Sequence, residues 1–232
     1  QSRLAYELRR YIAAQRGEEP PSPPAGPAPE PQDPSDRSGE TEERDDASPD
    51  PQEQLDNLGN EAEGCQQCGL SENRTQVVFA DGRAAADIFV IGEAPGAQED
   101  QEGLPFVGKA GELLRGGFEK VGLDEDQIYI TNTVKCRPPD NRDPREDELS
   151  ACRSYLDRQL ELVDPDVVLA LGSFAIQYCL GEGTRVGASR GTVHEWHGRD
   201  LVTTYHPAYI LRNNNEAQTF INDLNRVRTL LD

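Results

Sequence analysis

Positive charge is scarce in this chain: 23 Lys+Arg stand against 43 Asp+Glu, for a formal net charge of -20 over 232 residues. A surface coated in basic side chains to hold nucleic acid is thereby excluded, although a local basic patch is not. No apolar run reaches the ~18 residues of a membrane span, so a transmembrane segment is excluded as well. The opening QSRLAYELRRYIAAQ is broken by charge and lacks the continuous apolar stretch of a signal peptide. Five Cys are too few for a disulfide scaffold, and their spacing has to say what they do. Methionine is missing altogether, and a chain that begins at Gln1 reads as a fragment or a trimmed chain. Only 35% of residues are hydrophobic, so part of the chain is expected outside any core. The length suits one domain with a tail, or two small domains. The cations are 20 Arg and 3 Lys, a bias of high-GC or salt-adapted proteomes.

What is present divides near residue 60. Residues 1 to 64 hold 6 basic and 16 acidic residues, and residues 65 to 232 hold 17 and 27, so each part carries -10 over very different lengths. Ten of the 17 Pro fall between Pro20 and Pro51. Such a stretch cannot bury enough apolar surface to offset its ordering entropy, and residues 18–60 are expected to be a disordered, acidic, Pro-rich linker. Ahead of it, Leu4, Leu8, Tyr11 and Ile12 recur at helical spacing, giving a short amphipathic helix over residues 1–17. That helix is read either as a frayed element packing on its own core or as a tethered docking motif for a protein partner.

From residue 61 to 232 the pattern is that of one α/β domain. Apolar, β-rich runs at Asp87–Gly92, Ile128–Asn132, Val167–Gly172 and Leu201–Tyr205 each end in a Gly, Asn or Tyr-His-Pro signal. Helical stretches cover residues 110–121, 145–162, 173–180 and 215–231. The expected architecture is a three-layer α/β/α domain with a central, mainly parallel four-stranded sheet. In such folds the ligand site lies beyond the carboxyl ends of the strands, which here carry Glu93, Asn132, Ser173 and His206.

Cys65 and Cys68 form a C-x2-C pair; Cys136 follows the second strand and Cys152 lies inside the next helix. Four thiolates suit Zn²⁺ or an iron–sulfur cluster. With only one close pair, the spacing favours [4Fe–4S] over a zinc ribbon; the bland alternative makes Cys136 and Cys152 buried thiols. Cys179, on an apolar helix, reads as core.

The loops at the strand ends mix chemistry with bland alternatives. Glu93 is a helix-capping acid or a catalytic carboxylate. Phe106 is core or a platform for a stacked base. Asn132 caps locally or reads a base edge with one donor and one acceptor. His206, grouped with three other polar strand termini, reads as functional. His194 and His197, in HEWH, lack a third ligand nearby for a metal. The G-x4-G-K-[ST] phosphate loop is absent.

Taken in order, CQQCGLSENRTQVVFADG, GEAPGAQEDQEGLPFVGKAG, TNTVKCRPPDNRDP, Cys152, LALGSFA and HPAYILRN resemble the family 4 uracil-DNA glycosylases, the iron–sulfur members of that superfamily. The resemblance runs from about Cys65 to the C-terminus. It implies a [4Fe–4S] cluster on Cys65, Cys68, Cys136 and Cys152, a structural group pinning two loops. It further implies a monomeric DNA-repair hydrolase of the prokaryotic cytoplasm, associated with the nucleoid and not with membranes. Its substrate would be uracil-containing DNA, single- or double-stranded, and its products free uracil and an abasic site. A related branch traps its product through a His in the loop after the second strand; KCRPPDNRDPRED has no His, so hydrolytic turnover is expected.

The roles that follow are these. The target nucleotide is flipped from the stack, with the segment Pro207–Leu211, Tyr209 included, as wedge and Arg212, Lys135 and Arg137 on phosphates. Uracil stacks on Phe106 and is read by Asn132. His206 and loop amides near Ala94 meet charge on O2, and Glu93 orients water and stabilises the cationic sugar. The acidic arm is expected to compete with DNA for the basic patch. The rival readings are a non-catalytic iron–sulfur DNA-binding or damage-sensing protein on the same scaffold, and a small-molecule enzyme with a zinc centre.

Overall fold

A computed structural model describes residues 50–231. The helix expected over residues 1–17 and the linker as far as residue 49 lie outside the described residues. The first described element is a helix, α1 (Pro51–Glu63), where the sequence suggests the end of the linker. Acidic composition hides it. Pro51 occupies the first helical turn, where a missing N–H costs nothing, and Leu55 and Ala62 recur at helical spacing and are buried. The boundary between arm and domain is therefore corrected to the start of this helix.

The chain continues through β1 (Ile88–Gly92), α2 (Ala97–Glu102), α3 (Lys109–Val121), β2 (Ile128–Asn132), α4 (Glu146–Val163), β3 (Val167–Leu171), α5 (Gly172–Leu180), α6 (Val186–Ser189), β4 (Val193–Trp196), β5 (Arg199–Thr204), α7 (Pro207–Arg212) and α8 (Ala217–Leu230). The sheet has five strands in the order β2-β1-β3-β5-β4. Four pair in parallel and β4 lies antiparallel along β5. The count of four is thus corrected to five. Strand β4 escapes an apolar-run search because three of its four residues are not buried, as suits a short edge strand.

β1, β2 and β3 are buried at every position, as strands covered on both faces must be. Side-chain alternation divides the core in two. Ile88, Val90, Ile130 and Leu169 pack with Leu114 and Phe118 of α3 and Phe220 and Leu224 of α8. Phe89, Ile91, Tyr129 and Val168 pack with Leu156 and Leu160 of α4, Ile176 and Cys179 of α5, and Leu55 of α1. Burial of some ten such side chains per face, at about 2 kcal/mol each before entropy, holds the layers together. From β1 the chain crosses to β2 on one side, whereas from β3 it passes to the opposite side. That reversal opens a crevice above the carboxyl ends of β1 and β3. No helix among the described residues is long and apolar enough to cross a membrane.

Candidate active site

Parallel pairing of β1 with β2 sets Gly92 opposite Asn132 in the last register pair, so the two chain exits leave side by side. The loops beyond are stitched together. The Thr133 amide donates to the Gly92 carbonyl at 3.0 Å, and the Thr133 hydroxyl donates to the Glu93 carbonyl at 2.6 Å. Gly92 is required by space: a Cβ there would lie 2.3 Å from Asn132 Oδ1 and 2.6 Å from Phe106 Cζ. The amide of Asn132 and the ring of Phe106 therefore face one another across a bare Cα. Asn132 is 2% exposed, and its Oδ1 is a buried acceptor with no partner among the described residues. A buried carbonyl left unpaired costs about 1–3 kcal/mol, which a donor from a ligand would recover.

Phe106 sits at φ 54°, in the left-handed region that a non-glycine residue enters at a cost. Two features hold it. Gly111 permits close approach of α3, since a Cβ there would overlap the Phe106 carbonyl at 1.8 Å. Glu99, on α2, accepts from the amides of Val107 at 3.1 Å and Gly108 at 2.9 Å through Oε1 and from the Gly96 amide at 3.1 Å through Oε2. One carboxylate thus binds the loop after β1 to the loop bearing Phe106. Glu99 escaped the sequence reading, though the Gly96-x-x-Glu99 spacing is that of a helix capping box.

His206 follows β5 and caps α7. Its ring centroid lies 5.7 Å from that of Phe106, and Gly172, at φ 81°, gives it room beside β3. Burial, with Arg212 adding to it, pulls the imidazole down to about 4, so the ring is neutral at pH 7. The Ala208 amide donates to Nδ1 at 3.2 Å. The proton therefore sits on Nε2, which is left as a donor. Glu93 is half-buried, and burial, reinforced by Asp143 and opposed by Arg212, pushes its carboxyl up to about 7. Arg212 thus acts on both Glu93 and His206. Ala94 is half-buried and packs against the cluster formed by Leu70, Val134 and Cys136.

The expected DNA-facing set needs three corrections. Lys135 is 2% exposed and points inward, its Nζ donating to Thr131 Oγ1 at 2.6 Å and the Asn132 carbonyl at 2.7 Å, so it does not reach phosphate. Pro207 is buried at the first turn of α7, where it starts the helix instead of meeting DNA. Ile210 is buried too, leaving Tyr209 (37% exposed) and Leu211 (43%) as the outward apolar pair. Tyr209 stacks on Tyr205 at 4.8 Å. Nearby, Arg142 is held bidentately by buried Glu148. Arg212 and Arg145 are exposed; Arg137 is half-buried and donates to Asn141 Oδ1.

Behind the crevice, Cys65, Cys68, Cys136 and Cys152 line one cavity with Ala62, Ser71, Arg74, Lys135 and Tyr155, and no carboxylate or imidazole joins them. Arg74 Nη1 donates to Cys136 Sγ at 3.1 Å. As bare thiols, Cys136 and Cys152 are hard to ionise: burial pushes Cys136 up to about 11 and raises Cys152. Among the described residues no three His, Cys, Asp or Glu are grouped to hold a single metal ion. Four cysteines lining one cavity without a carboxylate or imidazole have the donor chemistry of an iron–sulfur group. His194 Nε2 bonds the Ser189 carbonyl at 2.8 Å and His197 packs on Trp196, so the HEWH pair is engaged within the fold.

The model of the uracil DNA glycosylase superfamily matches residues 79–227. The chain is 40% identical over 185 residues to the type-4 uracil-DNA glycosylase of Sulfurisphaera tokodaii, covering 76% of this chain and 84% of that protein. It is 36% identical to the type-4 uracil-DNA glycosylase of Thermotoga maritima, over 78% of this chain and 96% of that protein. With the type-4 uracil-DNA glycosylase of Archaeoglobus fulgidus the identity is 38%, over 77% and 94%. The chain belongs to the uracil-DNA glycosylase superfamily, beside its type-4 members.

Proposed function

We infer that this protein is a DNA-repair hydrolase that cleaves the N-glycosidic bond of deoxyuridine in DNA, releasing uracil and leaving an abasic site. The observation that carries this reading is the buried, unpartnered Oδ1 of Asn132 opposite Phe106. Uracil N3–H supplies the missing donor, and the Asn132 amide N–H₂ meets O4. Cytosine presents the exchanged pattern and leaves two buried groups unpaired, a penalty large enough to discriminate. The flipped base lies on the Phe106 ring, and Tyr209 and Leu211 are placed to fill the space it leaves in the stack.

Bond cleavage moves negative charge onto uracil and positive charge onto the sugar. A neutral His206 donating from Nε2 to O2 strengthens as that charge grows, without first having to lose a proton. Glu93, as carboxylate, faces the cationic sugar and orients the attacking water. Arg212, beside both, is placed to bind a flanking phosphate.

A [4Fe–4S] cluster on Cys65, Cys68, Cys136 and Cys152 belongs to the same reading. When bound it supplies a covalent cross-link between the segment after α1 and the loop after β2. The residues of the chain carry every step of the hydrolysis described above.

The test is incubation of iron-loaded protein with a single-uracil oligonucleotide, followed by alkali. Strand breakage at the uracil, lost in Asn132→Ala, is the expected result; an intact strand with loaded wild type overturns the assignment.

A further inference from the structure

Lys135 is an anomaly unless something negative stands beside it. Lys109 and Lys120 are exposed, but the Lys135 ammonium is enclosed, and its two hydrogen-bond partners, a hydroxyl and a backbone carbonyl, are neutral. No carboxylate among the described residues forms an ion pair or hydrogen bond with it, and it lines one cavity with Cys65, Cys68, Cys136 and Cys152. A buried cation without a counter-charge is among the costliest arrangements a fold can hold. Arg74 faces the same cavity from the other loop, with Nη1 on Cys136 Sγ and Nη2 on the Glu63 carbonyl at 2.9 Å.

Charge counting explains both. With a doubly positive [4Fe–4S] core bound, four thiolates would leave two negative charges in a low-dielectric pocket. One ammonium and one guanidinium neutralise them. The ammonium is also joined to the active site, because its second bond is to the carbonyl of Asn132, whose side chain borders the base pocket. We propose that Lys135 and Arg74 are the fixed counter-charges of the cysteine cage, and that Lys135 is a positioning residue through which the filled cage holds Asn132 in place. This rests on the cluster reading above. It also gives a physical reason for a cation at this place in the chain that DNA contact does not supply.

The test compares iron-loaded wild type, Lys135→Met, Arg74→Gln and Arg74→Lys. Iron and sulfide content with visible absorbance comes first; a colourless, iron-free wild type would sink the cluster reading and this inference with it. With loading established, the one-electron midpoint potential is measured. Loss of a neighbouring positive charge disfavours the reduced, more negative cage. Lys135→Met and Arg74→Gln are each expected to lower the potential by about 59 mV, a tenfold change in the equilibrium constant, and Arg74→Lys to restore it. On the uracil oligonucleotide, Lys135→Met is expected to lose about tenfold in kcat/KM, mostly in kcat, and Arg74→Gln less than twofold. Loaded variants with the wild-type potential overturn the counter-charge assignment, and unchanged kcat/KM in Lys135→Met overturns the positioning role. Should Lys135→Met not fold, a wild-type potential in Arg74→Gln alone overturns the proposal.

Discussion

Asn132 and Lys135 lie on one turn of chain and are equally hidden from solvent, yet they belong to opposite kinds of site. At the strand tips the protein is unfinished: Asn132 keeps an oxygen unbonded, Phe106 holds a costly backbone angle and His206 leaves Nε2 free to donate. Three residues on, around the cysteines, polar groups are engaged, with Lys135 donating twice and Arg74 reaching both a sulfur and a carbonyl. On the proposed reading, the contrast separates a place that waits for a visiting molecule from one built around a permanent occupant. Unmet hydrogen-bonding capacity is stored where binding will recover it, and removed where it would only destabilise.

The sharpest way to break this contrast is to finish the unfinished side. Asn132→Ala removes the waiting acceptor and is expected to cost roughly 10³-fold in kcat/KM on a uracil oligonucleotide, with thermal stability unchanged or slightly higher. Asn132→Asp, which replaces the amide donor by an acceptor, is expected to admit cytosine, read as strand breaks in a cytosine-only oligonucleotide. Retained uracil cleavage in the alanine variant would mean that the base is read elsewhere.

Filling the gap from beneath comes next. Gly92→Ala places a methyl group against both Asn132 and Phe106, and a displacement of about 1 Å at the base is expected to cost on the order of 10²-fold in kcat/KM. Crystallographic or spectroscopic evidence of an unaltered fold with full activity would show that the two side chains do not grip a common ligand.

A smaller effect is expected from Glu99→Gln, which replaces the carboxylate serving three amides. Loss of about 2 kcal/mol in denaturant unfolding and about tenfold in kcat/KM are expected together. An activity loss without a stability loss would instead point to direct contact with substrate.

The smallest effect is a displacement in pH. Glu93 titrates near 7 in the free protein because burial and Asp143 favour its protonated form. If the carboxylate is the working species, kcat/KM rises with pH through about 7 and then levels. Asp143→Asn removes the neighbouring negative charge, lowers the Glu93 value, and moves the acid limb toward lower pH; a limb that stays put would detach Glu93 from the rate.

Legibility in the sequence follows the same division. The strands declared themselves because burial on both faces demands continuous apolar runs, and their ends then exposed Glu93, Asn132 and His206 as a set. The four cysteines were readable from spacing and came together around one cavity. Four features were not. Strand β4 is an exposed edge with no apolar run to betray it. Glu99 works through backbone amides, which no side-chain pattern announces. Lys135 looked like a phosphate ligand because a cation in a loop ordinarily points outward, and only the tertiary structure reveals that this one turns in. Helix α1 was concealed by acidic neighbours that colour its outer face while Leu55 and Ala62 face inward.

The angle at Phe106 has a consequence for how such a molecule would survey a genome. Because Glu99 and Gly111 clamp the platform before any nucleotide arrives, the platform itself need not form when a base emerges. On the proposed reading, each spontaneous excursion of a nucleotide meets a preformed platform, and rejection does not require that platform to rearrange. The tempo of the search then belongs to the double helix itself, and readily opened pairs would be sampled first.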